Sequence, residues 1–502
     1  MSHFREAQFR HAAYYESILQ RTSELHLQGA AAVRGALNLL DQEWKNIQAG
    51  QRWAEEEARH DLAAAVLCNG YAAAGWRTLE LREHPREQIR WLRAGVKAAR
   101  RLRDREAAGC HWDNLGHAFS ALGQARRALV YHRRALDVSR ESGNRQAEAE
   151  SLFGLGIALV ALGEADQAIE SHEQSLAILH ELGDRLIEGT VLSNLGLAYD
   201  ALGDARRAIE YHERALAVCR EFQDRRGEAQ ILNHLGHSYE SLGESSRALE
   251  FHERALAIFR ELGDRRSVGE AQCGMGNALF DLGQMRRAAD CHKQSLAAAR
   301  ELGDRRAEGN ALGNLGIVHH ELGELPRAFN YHEQALTIAR ELGDRQGESN
   351  TLGNLGRAHE EAGDALRAIE HHKQALAIAR EIGDRNSEAH DLCNLASAFA
   401  LAGRPHRVIT YCEESLRVCT ETGSREVEVE NLRLLGAAYE MLGEVERAVE
   451  YYRHSLEVAT EIGNHRATVA AQTALAGPLA KPDDLSGVVA RDEETGGFAA
   501  TE

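Results

Sequence analysis

Between residues 105 and 464 the apolar, small and polar positions of the chain return with a period of 40 residues. Leucine stands at 136, 176, 216, 256, 296, 336, 376, 416 and 456. Alanine stands at 128, 168, 208, 248, 288, 328, 368 and 448, with Val408 the exception. Glycine closes a turn at 123, 163, 203, 243, 283, 323, 363, 403 and 443. Several columns held in step over nine periods identify a repeat array, in which each unit buries its apolar face against its neighbours.

One period, residues 304–343, shows the local logic. Asp304 is a good N-cap, and Ala311, Leu312, Leu315, Gly316 and His319 follow at helical spacing. The pattern predicts a first helix, A, over 305–321. Gly323 ends it, and Pro326 is tolerated in the first turn of a second helix, B. Helix B then carries Ala328, Tyr331, His332, Ala335, Leu336 and Ala339 on one side. Gly343 supplies a left-handed C-cap. The small residues Gly316 and Ala335 predict close approach of the two helix backbones.

The pattern resembles the tetratricopeptide repeat in its 40-residue form, as in kinesin light chain, spindle adaptors of the Pins/LGN type and bacterial regulators. The Leu-Gly pair of the family's first helix matches Leu315–Gly316. Its two small residues in the second helix match Ala328 and Ala335. The family's early Trp is Leu312 here, and its closing Pro is Arg340. The resemblance implies an all-α fold, a right-handed superhelical solenoid of antiparallel helix pairs, with helix A on the concave side.

Outside the regular array the pattern decays. Residues 60–104 read as one degenerate helix pair. Residues 1–59 read as an N-terminal helical cap, with Tyr14, Tyr15, Ile18, Leu37, Leu40, Trp44, Ile47 and Trp53 as its core. That lead-in also resembles the helices found before repeat arrays in bacterial signalling ATPases, although no G-x-x-x-x-G-K-[ST] loop is present. Nine repeats fill 105–464, and residues 465–476 end a last helix. Residues 477–502, acidic, glycine-containing and poor in apolar residues, predict a disordered tail.

Composition narrows the function. The net charge of −18 leaves no basic footprint for nucleic acid. No apolar run is long enough to span a membrane. The first residues, charged and without an apolar core, do not form a secretory signal. Eight cysteines make no C-x-x-C pair, which points to reduced thiols and a cytoplasmic setting. No metalloprotease, nucleophile-elbow or nucleotide-loop motif appears, so the expectation is a protein that is not an enzyme and needs no cofactor or metal.

What the resemblance implies about partners starts with the residue before Leu-Gly. In family members that hold extended peptides, asparagine here bonds the ligand backbone, since one amide offers both donors and acceptors. Asn114, Asn194, Asn314, Asn354 and Asn394 fall in this column. Gly154, Gly274 and Leu434 interrupt it; His234 substitutes, with Asn233 beside it. One turn earlier, Asn310 and Asn350 double the amides at i,i+4, which centres the expected groove on 305–384. Acids in the expected concave columns are Asp113, Glu150, Asp200, Glu240, Glu270, Asp281, Glu321, Glu360, Glu361, Glu430 and Glu440, against Arg357 and Arg433. The basic carboxylate clamp of chaperone-binding relatives is absent, and an acidic groove implies a partner segment of basic or mixed charge.

Two further columns read as structural. Histidines at 132, 172, 212, 252, 292, 332 and 372 coincide with the family's aromatic core position. Arginines beside each helix-A N-cap oppose the helix dipole, and glutamates ending each helix B are the expected counter-charges. The expected function is a polypeptide-binding scaffold. A peptide-sensing regulator and an accessory subunit of a separately encoded effector are the alternatives.

Overall fold

The structure is a computed structural model that describes residues 3–26, 30–80 and 85–475. The expected tail at 477–502 and the side chain of Leu37 lie outside the described residues. All 23 elements are α-helices, and no strand occurs among the described residues. The helices group into two compact units, residues 1–262 and 263–502.

The repeat at Arg305–Leu342 illustrates how the local sequence sets each helix pair. The Asp304 carboxylate accepts the Ala307 N–H at 3.1 Å, which starts the helix Arg305–Glu321. Gly323 turns the chain at φ +71, and Pro326 sits in the first turn of Leu325–Leu342. Gly343, at φ +65, closes that helix, and the Asp344 N–H donates to the Ala339 carbonyl at 2.9 Å. The same left-handed site is held by Gln223 at φ +57 in the first unit, where a side chain costs backbone strain.

Helices A and B lock through a histidine. His132, His172, His212, His252, His292, His332 and His372 are all buried. Each lies against the glycine of the Leu-Gly pair in its own repeat. A Cβ at Gly316 would stand closer than 3.0 Å to three ring atoms of His332. Gly316 therefore seats an imidazole, where the sequence pattern had suggested backbone contact with Ala335. The eighth repeat carries Ala396 and Cys412 at these positions, a larger floor under a smaller side chain. Next to this lock, helix A and helix B aromatics stack, with Tyr199 on Tyr211 and Phe399 on Tyr411 at centroid distances of 5.2 and 5.3 Å.

The arginine column meets the glutamates expected of it. Arg145 reaches Glu181 at 2.9 Å, and Arg305 and Arg345 pair with Glu341 and Glu381. A second acid completes the contact. Glu348 receives Arg345 at 2.6 Å and Arg340, from the preceding helix B, at 2.8 Å. The cation beside the N-cap is thus compensated on two sides. Burial pushes the Glu348 carboxyl up, but the hydrogen bonds and charges of Arg340 and Arg345 outweigh it and hold the group below the usual carboxylate range.

In the first unit, helices His3–His26 and Ala30–Glu57 pack with the pair Leu62–Glu80 and Pro85–Leu102. Trp91 is buried between Trp44 and Tyr71, each at 5.9 Å, and the Tyr71 hydroxyl donates to the Ala12 carbonyl at 2.8 Å. Ile18, Leu40 and Ile47 are core residues, and Tyr15, Trp44 and Trp53 are half-buried around them. Tyr14 is 59% exposed; the helix instead turns Ala12, Ile18 and Leu19 inward.

Candidate functional site

A cleft of about 730 Å³ lies within the second unit. Its walls are helices A of four successive repeats, Arg265–Asp281, Arg305–Glu321, Arg345–Glu361 and Arg385–Leu401. Ile338, Ala339 and Leu342 of one helix B add an apolar edge. Two consecutive Gly-Asn-Leu-Gly segments, 313–316 and 353–356, open it. At the first glycine of that segment other repeats carry Phe153, Asn233, Cys273 or Arg433. A Cβ on Gly313 would meet nothing within 4 Å, and one on Gly353 would meet only the Asp391 Oδ1, at 3.7 Å.

Six residues expected at a binding groove line this cleft: Asn310, Asn314, Asn350, Asn354, Arg357 and Asn394. Asn310 and Asn350 are exposed; Asn314, Asn354 and Asn394 are half-buried. The amides are partly held in place. Asn314 Nδ2 donates to Asn277 Oδ1 at 3.2 Å, and Asn354 Oδ1 accepts from Arg357 at 3.2 Å. Asn350 Oδ1 accepts from Gln346 at 3.3 Å. Such a row of half-fixed amides can exchange hydrogen bonds with an extended backbone.

The other expected groove residues do not join this cleft. Asn114 lines a smaller cleft of about 210 Å³ in the first unit, with Trp76, Cys110 and Glu150. Asn194 Nδ2 donates to the Thr190 carbonyl of its own helix at 3.0 Å. Asn233 is buried and accepts from His252 Nδ1 at 2.8 Å, so it belongs to the helix A–helix B lock. His234 lies 5.4 Å from the His212 ring, and burial, with His212 and His237, lowers its pKa to about 3. Glu360 accepts from His372 at 3.0 Å and from Ser397 at 3.0 Å, and Glu361 pairs with His320.

The expected acid excess shrinks for the same reason. Asp113 bonds His132, Asp200 bonds Ser238, Glu430 bonds Arg433 and Glu440 accepts from the Tyr452 hydroxyl. The charged groups on the cleft wall are instead mixed: Arg306, Arg357, Asp344, Asp391 and the titratable His390. Two clusters outside the cleft bring three donor atoms within 4.8 Å, Asp113/His117/His132 and His237/Glu240/His252. Both have donor sets suited to a divalent transition metal. Both already bond internally, with Asp113 to His132 at 2.8 Å and Glu240 to His237 at 3.1 Å.

One cleft residue escaped the sequence pattern. Asp391 is 6% exposed, and its Oδ2 is buried without a hydrogen-bond partner. Burial, with Asp384 nearby, pushes its pKa up to about 7. Its register position reads His111, Ser151, Val191, Ile231, Ala271, Ala311, Thr351 and Asn431 in the other repeats, so the one acid of the column was the available signal.

A family model for the tetratricopeptide repeat matches residues 107–181, 158–221, 187–261, 267–341, 307–381, 347–421 and 387–461. No curated protein matches the chain. The apo form of the quorum sensor NprR from B. thuringiensis is similar in fold: 15% identical, covering 69% of this chain and 97% of that one, with TM-score 0.54. A signal transduction ATPase with numerous domains from Pyrococcus horikoshii, carrying a tetratricopeptide repeat sensor, is 14% identical over 73% of this chain and 56% of that one, with TM-score 0.54. A Rap protein solved with competence and sporulation factor is 14% identical over 71% of this chain and 99% of that one, with TM-score 0.50.

Proposed function

This chain belongs to the tetratricopeptide repeat family, and from that premise we propose that it is a non-catalytic binding protein that holds an extended segment of a partner polypeptide in the cleft over residues 273–394. The observation that carries this reading is the row Asn310, Asn314, Asn350, Asn354 and Asn394 along one open cleft. The two glycine-floored turns of helix give a backbone room to approach those amides. The mixed charges on the wall favour a segment of mixed charge over a purely basic one. Among the described residues no helix is long and apolar enough to cross a membrane. Eight cysteines without a C-x-x-C pair support a cytoplasmic setting as part of the proposal.

A second reading makes the bound segment a signal. NprR is described as a quorum sensor, and the Rap protein was solved with a sporulation factor. In that reading, peptide binding in this chain alters a surface read by another protein. The test common to both readings is a peptide-array screen with the full chain and the double variant Asn314→Ala/Asn354→Ala. Each lost hydrogen bond is worth about 0.5–1.5 kcal/mol, so the pair should weaken binding roughly 5- to 150-fold while helicity and thermal unfolding stay close to wild type. Unchanged binding by a folded double variant would remove the cleft from consideration.

A further inference from the structure

We propose that Asp391 is the anchor for a primary ammonium group, from a lysine side chain or a chain N-terminus, of the polypeptide that lies in the cleft. The inference rests on the cleft reading above and adds the chemistry of one subsite.

A buried carboxylate is normally surrounded by donors, because removing its charge from water is expensive. In the next repeat this register position is polar but uncharged, and only its amide nitrogen is satisfied; the Asn431 Oδ1 is buried without a partner. Asn431, fully buried, donates to Ser415 Oγ at 2.8 Å and to the Val427 carbonyl at 2.8 Å. One period earlier the residue matching Ser415 is Ala375, which offers Asp391 no hydroxyl. Arg357 on the wall donates to Asn354. The carboxylate therefore sits at the cleft wall with its own repeat supplying no counter-charge.

The geometry also selects the kind of cation. Oδ2 is sealed from solvent, while Oδ1 is the oxygen nearest the space above Gly353, 3.7 Å from where a Cβ would stand. A guanidinium gains most from a carboxylate that offers both oxygens side by side. A single reachable oxygen at the foot of a space that no side chain fills suits a compact ammonium. Gly353 makes that space; any other residue there would fill it. The groups around the subsite are Asp384, and on the cleft wall Asp344, His390, Arg306 and Arg357. Asp384 and Asp344 reinforce the attraction for a cation, and the arginines oppose it.

The test uses the full chain, the variants Asp391→Asn and Asp391→Thr (the latter restoring the residue found at 351), and Asn314→Ala/Asn354→Ala. An array presents each peptide with free amines, with acetylated lysines, with an acetylated N-terminus, and with arginine for lysine. Peptides lost by the asparagine variant define cleft binders. For these, the proposal expects at least a tenfold loss on either Asp391 variant. It expects a similar loss on acetylating one of the two amine sources, which identifies the source, and little rescue by arginine. Acetylation should then have no further effect on Asp391→Asn. Cleft binders that ignore both the Asp391 variants and acetylation overturn the proposal. If the array yields no cleft binders, the cleft reading fails, and n-butylammonium decides the subsite. Protection of helix Arg385–Leu401 from hydrogen exchange by n-butylammonium, absent with n-butanol and in Asp391→Asn, upholds it. No protection, or equal protection of the variant, overturns it.

Discussion

The lock between helix A and helix B makes a quantitative prediction about two residues that look unrelated in sequence. Gly316 and His332 are 16 positions apart, and His332 is fully buried with neither ring nitrogen bonded. Adding a methyl group at 316 drives it into the imidazole. Overpacking of this kind costs about 1–3 kcal/mol, partly offset by the roughly 1 kcal/mol that alanine gains over glycine in a helix. Gly316→Ala should therefore destabilise by about 0–2 kcal/mol. His332→Cys removes the ring and leaves a cavity, a loss of about 2–4 kcal/mol. That loss is reduced because two buried, unbonded nitrogens leave with the ring. The double variant recreates the Ala396–Cys412 combination of the eighth repeat. The methyl then fills part of the space that the ring vacated, so the two changes should couple favourably by at least about 1 kcal/mol. Repeat arrays open locally, so the measurement is hydrogen exchange over helices Arg305–Glu321 and Leu325–Leu342 for wild type, both single variants and the double variant. Additivity within about 0.5 kcal/mol would refute the claim that Gly316 is there to seat the imidazole.

Other tests follow from the same contacts. Asp391, with its pKa raised to about 7 from an unfolded value near 3.8, binds more protons folded than unfolded between those values, so stability falls as pH rises from about 4 to 7. Asp391→Asn should remove that dependence and stabilise helix Arg385–Leu401 at pH 8 by up to about 4 kcal/mol, with no gain at pH 4; equal exchange rates of variant and wild type at pH 8 would contradict this. Glu348 has the opposite sign: its lowered carboxyl contributes stability above its unfolded pKa and loses it as pH falls through the folded one. Glu348→Gln should cost about 1 kcal/mol at pH 7, read by exchange at Arg345–Glu361, and the difference should shrink as pH falls below the ordinary carboxylate range. Gln223→Gly should stabilise by about 0.5 kcal/mol, because relief of left-handed strain outweighs the added freedom of the unfolded chain; a lower unfolding midpoint would show that the side chain has another role.

The helix pairs were legible because each boundary carries its own chemistry: an Asp cap, a turn glycine, a second glycine at the end. Helix Arg305–Glu321 begins and ends where the pattern places it. The amide row at 310–354 was legible too, since i,i+4 spacing fixes a shared face. What stayed hidden depended on neighbours outside the helix. Glu360 reads as an exposed groove acid until His372 and Ser397 are seen to hold both its oxygens. Asn233 reads as a ligand residue until His252 claims it. Gly316 reads as a backbone contact because sequence cannot show which atoms occupy the space above it. Asp391 was visible only by comparing one core column across repeats.

The ion pairs that join each repeat to itself have an evolutionary consequence. Arg305 finds Glu341 and Arg345 finds Glu381, each 36 positions on and inside a single 40-residue length. Excising residues 305–344 would fuse Asp304 to Arg345, and the new junction would present the same cap, the same arginine and the same waiting glutamate as the old one. Duplicating the segment would do likewise. The chain can thus be lengthened or shortened by whole units without inventing new boundary chemistry, while the loss of one residue would misalign every clasp it spans. Selection can then tune how many binding walls the protein offers by copying and cutting genetic segments, and keep point substitution for what each wall recognises.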